Sequence, residues 1–458
     1  MKLKKPSVYI PIEIKYREYH SSVLLATKLS QRGFRTYIGS KKGIYEIIHS
    51  KNKTAGIFLY KGMKPRDFFG RLKRYCDKIC ILDQELGVAH IQTKEHYKEA
   101  VLDRLLLDSI DLIDLFFVIG QKYYDAVLNV APSLESRLYI SGWPRIDLWL
   151  HHAVKVYDFE KKSIQKQHGH FLLFASDFGI NTIEKLNGAF EQDKMSGVQF
   201  RMENAQQKYK NYEALFREYE SMVEFLKSCD ADQSIPKIII RPHPGEDKEA
   251  WRSAMAGLKK TEVIYEGDST TWILASAGVL HRGCSSGVEA SLMGRPNAYL
   301  ILQNFVPRNN LSFICAERVT SLQDLAVFAK NCSSDHYNKS EITNTLISKS
   351  DGIFALPAPS SSDFISDLLA KFNITPEKIW ERGSIGKFKL RIQRLKYEIL
   401  KNIFRKNQID KIKKFNLAPK AEKMPGGITV DETQKFITSL GYDNIEVVSP
   451  LKDVVVIE

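Results

Sequence analysis

AGVLHRGCSSGVEASLMGRP, residues 277–296, decides how this chain is read. A short apolar run, AGVL, is followed by polar residues and then by VEASLMG, which has the spacing of a helix. Strand, turn and helix in that order form half of a parallel-sheet unit. Ser285 and Ser286 can cap the helix. The same geometry aims backbone N–H groups and the positive helix end at an anion. One serine is explained by a cap, whereas two serines flanked by Gly283 and Gly287 point to phosphate, with the backbone able to approach closely. Glu289, inside the first turn, either favours the helix dipole or holds ribose hydroxyls. The pattern is neither a G-x-x-x-x-G-K-[ST] loop nor a G-x-G-x-x-G turn. Cys284 is read as a packing residue, because no base is identifiable beside it.

Similar alternation extends outward on both sides. SVYIPIEI, FRTYIG, AGIFLY, KICILD, LFFVIG and RLYISG read as strands in the first 150 residues, with helices between most of them. HFLLFAS, PKIIIRPHP, TEVIYEG, AGVLHRG and RPNAYLIL form a second series, with a long helix expected over about 201–228. Each series predicts a doubly wound parallel sheet covered on both faces. The fold class is therefore α/β, with two Rossmann-like domains facing a cleft, over 1–150 and 151–370, and a basic helical C-terminal appendage over 371–458. The polar segment 177–200 is expected to be an active-site loop. In 426–458 a small helix precedes apolar alternation in EVVSPLKDVVVIE.

Ligands of such sheets bind beyond the carboxyl ends of the strands, and the chemically informative residues stand there. RPHPGED, 241–247, follows a buried-type strand, and its two prolines fix where His243 points. Beside Arg241, that histidine suits an anion or a leaving phosphate. ILDQELGVAH, 81–90, brings Asp83 and Glu85 to one side of an extended chain, where a carboxylate can take a proton or act as a nucleophile. PIEIKYREYH places Glu13, Lys15, Arg17 and His20 after the first strand, as contacts for an acidic sugar or as ordinary surface charge. SGWPRID supplies Arg145 near the domain junction.

Composition excludes several classes. The 458 residues contain no window approaching the ~20 apolar residues of a membrane span. The basic start lacks the apolar core of a signal peptide, so a cytoplasmic location is expected. Six scattered cysteines, with Cys76 and Cys80 as a lone CxxxC, give no disulfide framework and no zinc pattern. The net charge of +13 is concentrated. Residues 387–414 hold eleven Lys or Arg against Glu398 and Asp410, a net +9. Apolar residues recur there at helical spacing, which fits an amphipathic helix on an anionic membrane surface or one packed on the catalytic domains. No nucleic-acid fold signature accompanies it, and no nucleic-acid partner is expected.

The ordered set YIPIEIKYRE, LDQELG, SGWPRIDL, RPHPGED and EGDSTTWILASAGVLHRGCSSGVEASLMGRP resembles the bacterial surface carbohydrate biosynthesis protein family over roughly residues 8–305. That family is similar to glycosyltransferases of the B fold. The acidic-Gly, His-Pro and Ser-Ser motifs also resemble those of bacterial transferases that use CMP-activated acidic sugars. The resemblance implies a nucleotide-sugar-dependent glycosyltransferase with a glycan or lipid-linked glycan acceptor. It implies that Asp83 or Glu85 is the base, with His243, Ser285 and Ser286 on the phosphate. Gln84 separates the acids and Leu86 displaces Gly87 from the usual pattern, so which acid acts stays open, as does inversion against retention. A CMP-sugar carries one phosphate, and no metal or other cofactor is expected. The alternatives are a transferase using a nucleoside-diphosphate sugar or a CDP-linked polyol phosphate, a nucleotide-sugar epimerase, and an inactive scaffold of the assembly complex.

Overall fold

A computed structural model describes residues 5–49, 56–83, 93–150, 154–194, 205–302, 305–307, 310–334, 336–374 and 424–458. The apolar runs of the first series become parallel strands β1 (Ser7–Ile12), β2 (Arg35–Ser40), β3 (Gly56–Tyr60), β4 (Lys78–Leu82), β5 (Leu115–Val118) and β6 (Leu138–Ile140). Those of the second become β7 (Phe171–Ala175), β8 (Lys237–Arg241), β9 (Thr261–Val263), β10 (Gly278–His281) and β11 (Asn297–Leu300), and β12 (Glu317–Val319) joins them. Six of these twelve are buried along their whole length, as strands covered on both faces are. The chain forms two doubly wound α/β domains of Rossmann type.

The first sheet has the order β13-β14-β2-β1-β3-β4-β5-β6, and the second β12-β11-β10-β7-β8-β9. The direction of winding reverses at β1/β3 in the first and at β7/β10 in the second. These reversals are where the loops leaving adjacent strands diverge and leave a crevice.

The end of the chain departs from a purely helical appendage. Helix Val430–Ser439 is followed by the hairpin β13 (Val447–Leu451) and β14 (Val454–Ile457). β14 pairs antiparallel with β2, Val455 opposite Ile38, and so extends the first sheet. Val454, Val455, Val456 and Ile457 are all buried, which explains why this apolar run seeks a sheet rather than solvent. Gly39 leaves the room β14 needs, since a Cβ there would lie 2.6 Å from the Asp453 carbonyl oxygen. Helix Ser361–Ala370 also returns to the first domain, where Asp147 accepts from the Ser361 and Ser362 backbone N–H groups at 3.0 and 2.8 Å.

The segment 177–200 is not simply a loop, because helix Ile183–Lys194 occupies much of it and Leu186 anchors it to the core. The long helix runs from Ala205 to Ala231. The basic stretch 387–414 lies outside the described residues. Among those described, no helix is long and apolar enough to cross a membrane.

Candidate functional site

The opening motif separates into a buried half and a half-exposed half. His281, at the end of β10, is completely buried. Its Nδ1 accepts the Gly283 N–H at 3.1 Å, and its Nε2 lies 3.1 Å from the Asn297 side-chain oxygen. One acceptor and one donor nitrogen define a neutral ring, and burial pushes its pKa down to about 4. Gly287 is required by this ring: a Cβ at 287 would stand 2.5 Å from His281 Nε2. Arg282 is 2% exposed and bonded to Asp177, after β7, at 3.0 Å and to Glu218 of the long helix. Burial opposes its charge, but the two carboxylates outweigh that and hold its pKa above the ordinary value. Burial pushes the Cys284 thiol up to about 12, so it stays protonated and serves packing.

Ser285 and Ser286 stand half-buried at the start of helix Ser285–Leu292, whose N-cap, Cys284, makes no side-chain cap bond. The helix end therefore keeps its positive pole with two hydroxyls beside it. This end lies at the β7/β10 reversal.

On the other side of β7, the loop after β8 is organised by a residue that pattern reading passed over. Glu246 is 1% exposed and accepts from the Ser176 hydroxyl, the Phe178, Gly179 and His243 N–H groups, and the Trp251 indole, at 2.7–3.2 Å. Burial raises its pKa and these donors work against the rise. It ties the loop after β7 to the loop after β8 and fixes the backbone of His243. The half-buried His243 ring accepts the Gly245 N–H on Nδ1 at 3.1 Å, which leaves the proton of the neutral ring on Nε2. The signal available was an acid three residues beyond the histidine, and nothing in one sequence distinguishes it from a solvated turn acid.

Arg241 is engaged by the backbone of its own domain. Its two Nη atoms donate to the Glu266 and Gly267 carbonyls at 2.5 and 2.9 Å, and its guanidinium lies over Trp272. Burial pushes its pKa down to about 10. It shapes the loop after β9.

That loop begins the domain junction. Asp268 caps helix Ser269–Ala275 and lies 3.1 Å from His20 of the first domain. Burial opposes its charge, but His20, the Thr270 N–H and Arg145 hold it below its ordinary pKa. Thr270 accepts the Trp149 indole N–H at 3.3 Å and donates to Glu289. Glu289, 2% exposed, lies 3.9 Å from Arg145, whose guanidinium rests over Trp143 and Trp149. Burial pushes the Glu289 pKa up to about 7 despite Arg145 and Thr270. Arg145 and Glu289, read separately from sequence, thus meet across the two domains. Thr270 and Trp149 were not foreseen, since Thr270 is one of three successive hydroxyl residues in GDSTT and Trp149 stands in an apolar run.

Arg145 also lines a cavity of the first domain at the β1/β3 reversal, with Arg17, Glu18, Lys61, Ser21 and Ser22. Glu13 and Glu18 both pair with Lys61, and Glu13 also pairs with Lys41. Lys15 points away from this cavity's lining toward the chain end, 2.7 Å from Glu432.

Asp83 follows β4 and is 4% exposed. Arg104 donates to it at 2.8 and 3.3 Å, and the Tyr123 hydroxyl at 2.8 Å. These bonds tie the end of β4 to helices Lys94–Arg104 and Gln121–Val130. Glu85 and the rest of the acidic motif lie outside the described residues. Among the described residues, no three His, Cys, Asp or Glu are grouped to hold a metal ion.

No protein-family model matches the chain, and no curated protein sequence does. Among solved structures, the chain is similar to the wall teichoic acid polymerase TagF soaked with CDPG, at 10% identity over 80% of this chain and 88% of that one, TM-score 0.47. It is similar to S. aureus MnaA with UDP, at 12% identity over 83% and 100%, TM-score 0.45. It is similar to Anabaena HepE with UDP, at 11% identity over 80% and 100%, TM-score 0.39. At TM-scores this low, none of these likenesses bears on the chemistry of this chain.

Proposed function

We propose that this chain is a glycosyltransferase of bacterial surface-polysaccharide assembly, moving a sugar from a nucleotide-activated donor to a glycan or lipid-linked glycan acceptor. One observation carries the reading. The Arg145–Glu289 contact joins the helix at the β7/β10 reversal of the second sheet to the cavity at the β1/β3 reversal of the first. Two crevices of the kind that bind ligands then share one junction, as donor and acceptor sites require.

In this reading the donor phosphate sits on the N-terminus of helix Ser285–Leu292, with Ser285 and Ser286 beside it. His243, held by Glu246 across β7, donates to the leaving group. Stabilisation of the leaving phosphate is electrostatic, by donors set in advance where charge develops. The donor is a CMP-linked acidic sugar of the ulosonic type, and no metal takes part. Arg17 and Arg145 meet the acidic groups of the substrates. With Asp83 engaged by Arg104 and Tyr123, the acceptor proton is assigned to Glu85. The enzyme works on the cytoplasmic membrane face, with 387–414 against anionic lipid.

The engagement of Asp83 favours a second reading, an inactive scaffold. Thermal unfolding with CMP, CDP, UDP, UMP, GDP and TDP separates the two, because a ligand that binds only the folded state raises the melting temperature. CMP at a hundredfold excess over Kd is expected to add about 2.7 kcal/mol of stability. The gain is expected to disappear in His243→Ala and in the Ser285→Ala/Ser286→Ala double variant. A gain with UDP or another diphosphate would remove the CMP assignment and keep the transferase. No gain with any nucleotide would favour the scaffold.

A further inference from the structure

A groove of about 750 Å³ lies on the side of helix Lys15–Gln31 away from Arg17 and Glu18. Four parts of the chain wall it: the start of that helix, the segment from Val156 to Gln167, the loop after β9, and helix Val430–Ser439. Its volume is within the range of ligand pockets, roughly 300–1,000 Å³, and it lies between domains, where such pockets concentrate.

The lining alternates two kinds of surface. Tyr16, Trp272 and Phe436 supply aromatic walls, and Phe159 stands at the groove 83% exposed. Between them stand Glu160, Glu266, Ser163 and Gln167, all exposed. His20 is stacked on Phe436 at 4.2 Å and paired with Asp268, and Lys15 is paired with Glu432. These pairs make parts of the wall that are already matched in charge.

This chemistry selects its occupant. An anionic ligand would meet Glu160, Glu266, Asp268 and Glu432 against Lys435, with Lys15 already matched to one of the four acids. An acyl chain would leave the carboxylates and the amide without partners inside the groove. A pyranose satisfies both surfaces: its C–H faces pack on aromatic rings while its hydroxyls donate to carboxylate and amide oxygens. The groove also adjoins the proposed site. Tyr16 is next to Arg17, and Asp268 caps the helix whose Thr270 bonds Glu289.

We propose that this groove binds neutral sugar units of the acceptor glycan, as a holding site beyond the unit that reacts. The inference rests on the transferase reading for the word acceptor, and on the groove alone for sugar binding. The test is calorimetric titration of the full chain with maltotriose and with the trimer of N-acetylglucosamine. At least one is expected to bind saturably. Binding is expected to weaken about tenfold or more in Phe159→Ala and in the Glu160→Gln/Glu266→Gln double variant. Both variants change exposed residues, and nucleotide stabilisation is expected to be unchanged in them. Absence of saturable binding by both trimers, or binding unaffected by these changes, overturns the proposal. Sugar binding through the groove without any nucleotide stabilisation would keep the groove and remove the transferase.

Discussion

At the edge of the first sheet, Lys61 lies between Glu13 and Glu18, Lys15 on Glu432, and Arg104 on Asp83. At the edge of the second, Glu246 is surrounded by neutral donors, and Arg241 donates to two carbonyls. One edge is built from opposite charges on long, partly exposed side chains. The other adds charges solvated by fixed dipoles to the buried pairs of Arg282 with Asp177 and Glu218. Ion pairs of the first kind exchange partners when a charged ligand arrives, and salt screens them. Dipole shells of the second kind keep their geometry with or without a ligand, which suits a site that must stabilise a leaving group without reorganising.

The largest effect that tests this contrast is Glu246→Ala. It leaves several buried donors without an acceptor, each costing about 1–3 kcal/mol. A loss of about 4 kcal/mol or more in urea unfolding is expected, against about 1–2 kcal/mol for Asp83→Asn, which keeps the side-chain shape and a partly exposed Arg104. A larger loss for Asp83→Asn would break the comparison.

Next comes pH. The Glu289 carboxyl has its pKa raised from 4.5 to about 7 in the folded chain, so between those values the unfolded state releases its proton first. Stability from this group is complete below pH 4.5 and falls as pH rises to about 7, on the order of 3 kcal/mol in all. His281 acts in the opposite sense: with its pKa lowered from 6.5 to about 4, its contribution is complete above 6.5 and is lost as pH falls toward 4. Between about 4.5 and 6.5 the two slopes offset each other, and Glu289→Gln is expected to leave stability rising with pH over that range, read by unfolding at several pH values. An unchanged profile would show that the junction does not desolvate Glu289.

The smallest effect is Lys15→Met. Breaking its pair with Glu432 is expected to cost about 1 kcal/mol or less, and the cost is expected to shrink in 1 M salt. A salt-independent cost would move Lys15 to the second kind of edge.

The contrast also explains what could be read beforehand. AGVL became β10 and KICIL became β4 because apolar runs of that length bury themselves on either face of a parallel sheet. The approach of Arg145 to Glu289 required the two domains to be placed, which no local pattern encodes. Asp83 looked available because its partners lie 21 and 40 residues onward, at Arg104 and Tyr123. His281 and Arg282 read as polar motif residues, yet His281 is a packing ring under Gly287, and Arg282 is a buried tie to Asp177 and Glu218. Polar residues after a strand mark where a site lies. Their partners decide which of them are free to work in it.

The pairing of β14 with β2 has a consequence for how the chain comes into being. As residues leave the ribosome in order, β2 emerges early and must wait for a partner more than four hundred residues away. Its outer edge stays unpaired meanwhile, open to strands of other chains. The second sheet, although synthesised later, is drawn from one continuous stretch, Phe171 to Val319, and can close first. The first domain is therefore expected to be the last to finish, and a nascent chain is most exposed to aggregation along Arg35–Ser40.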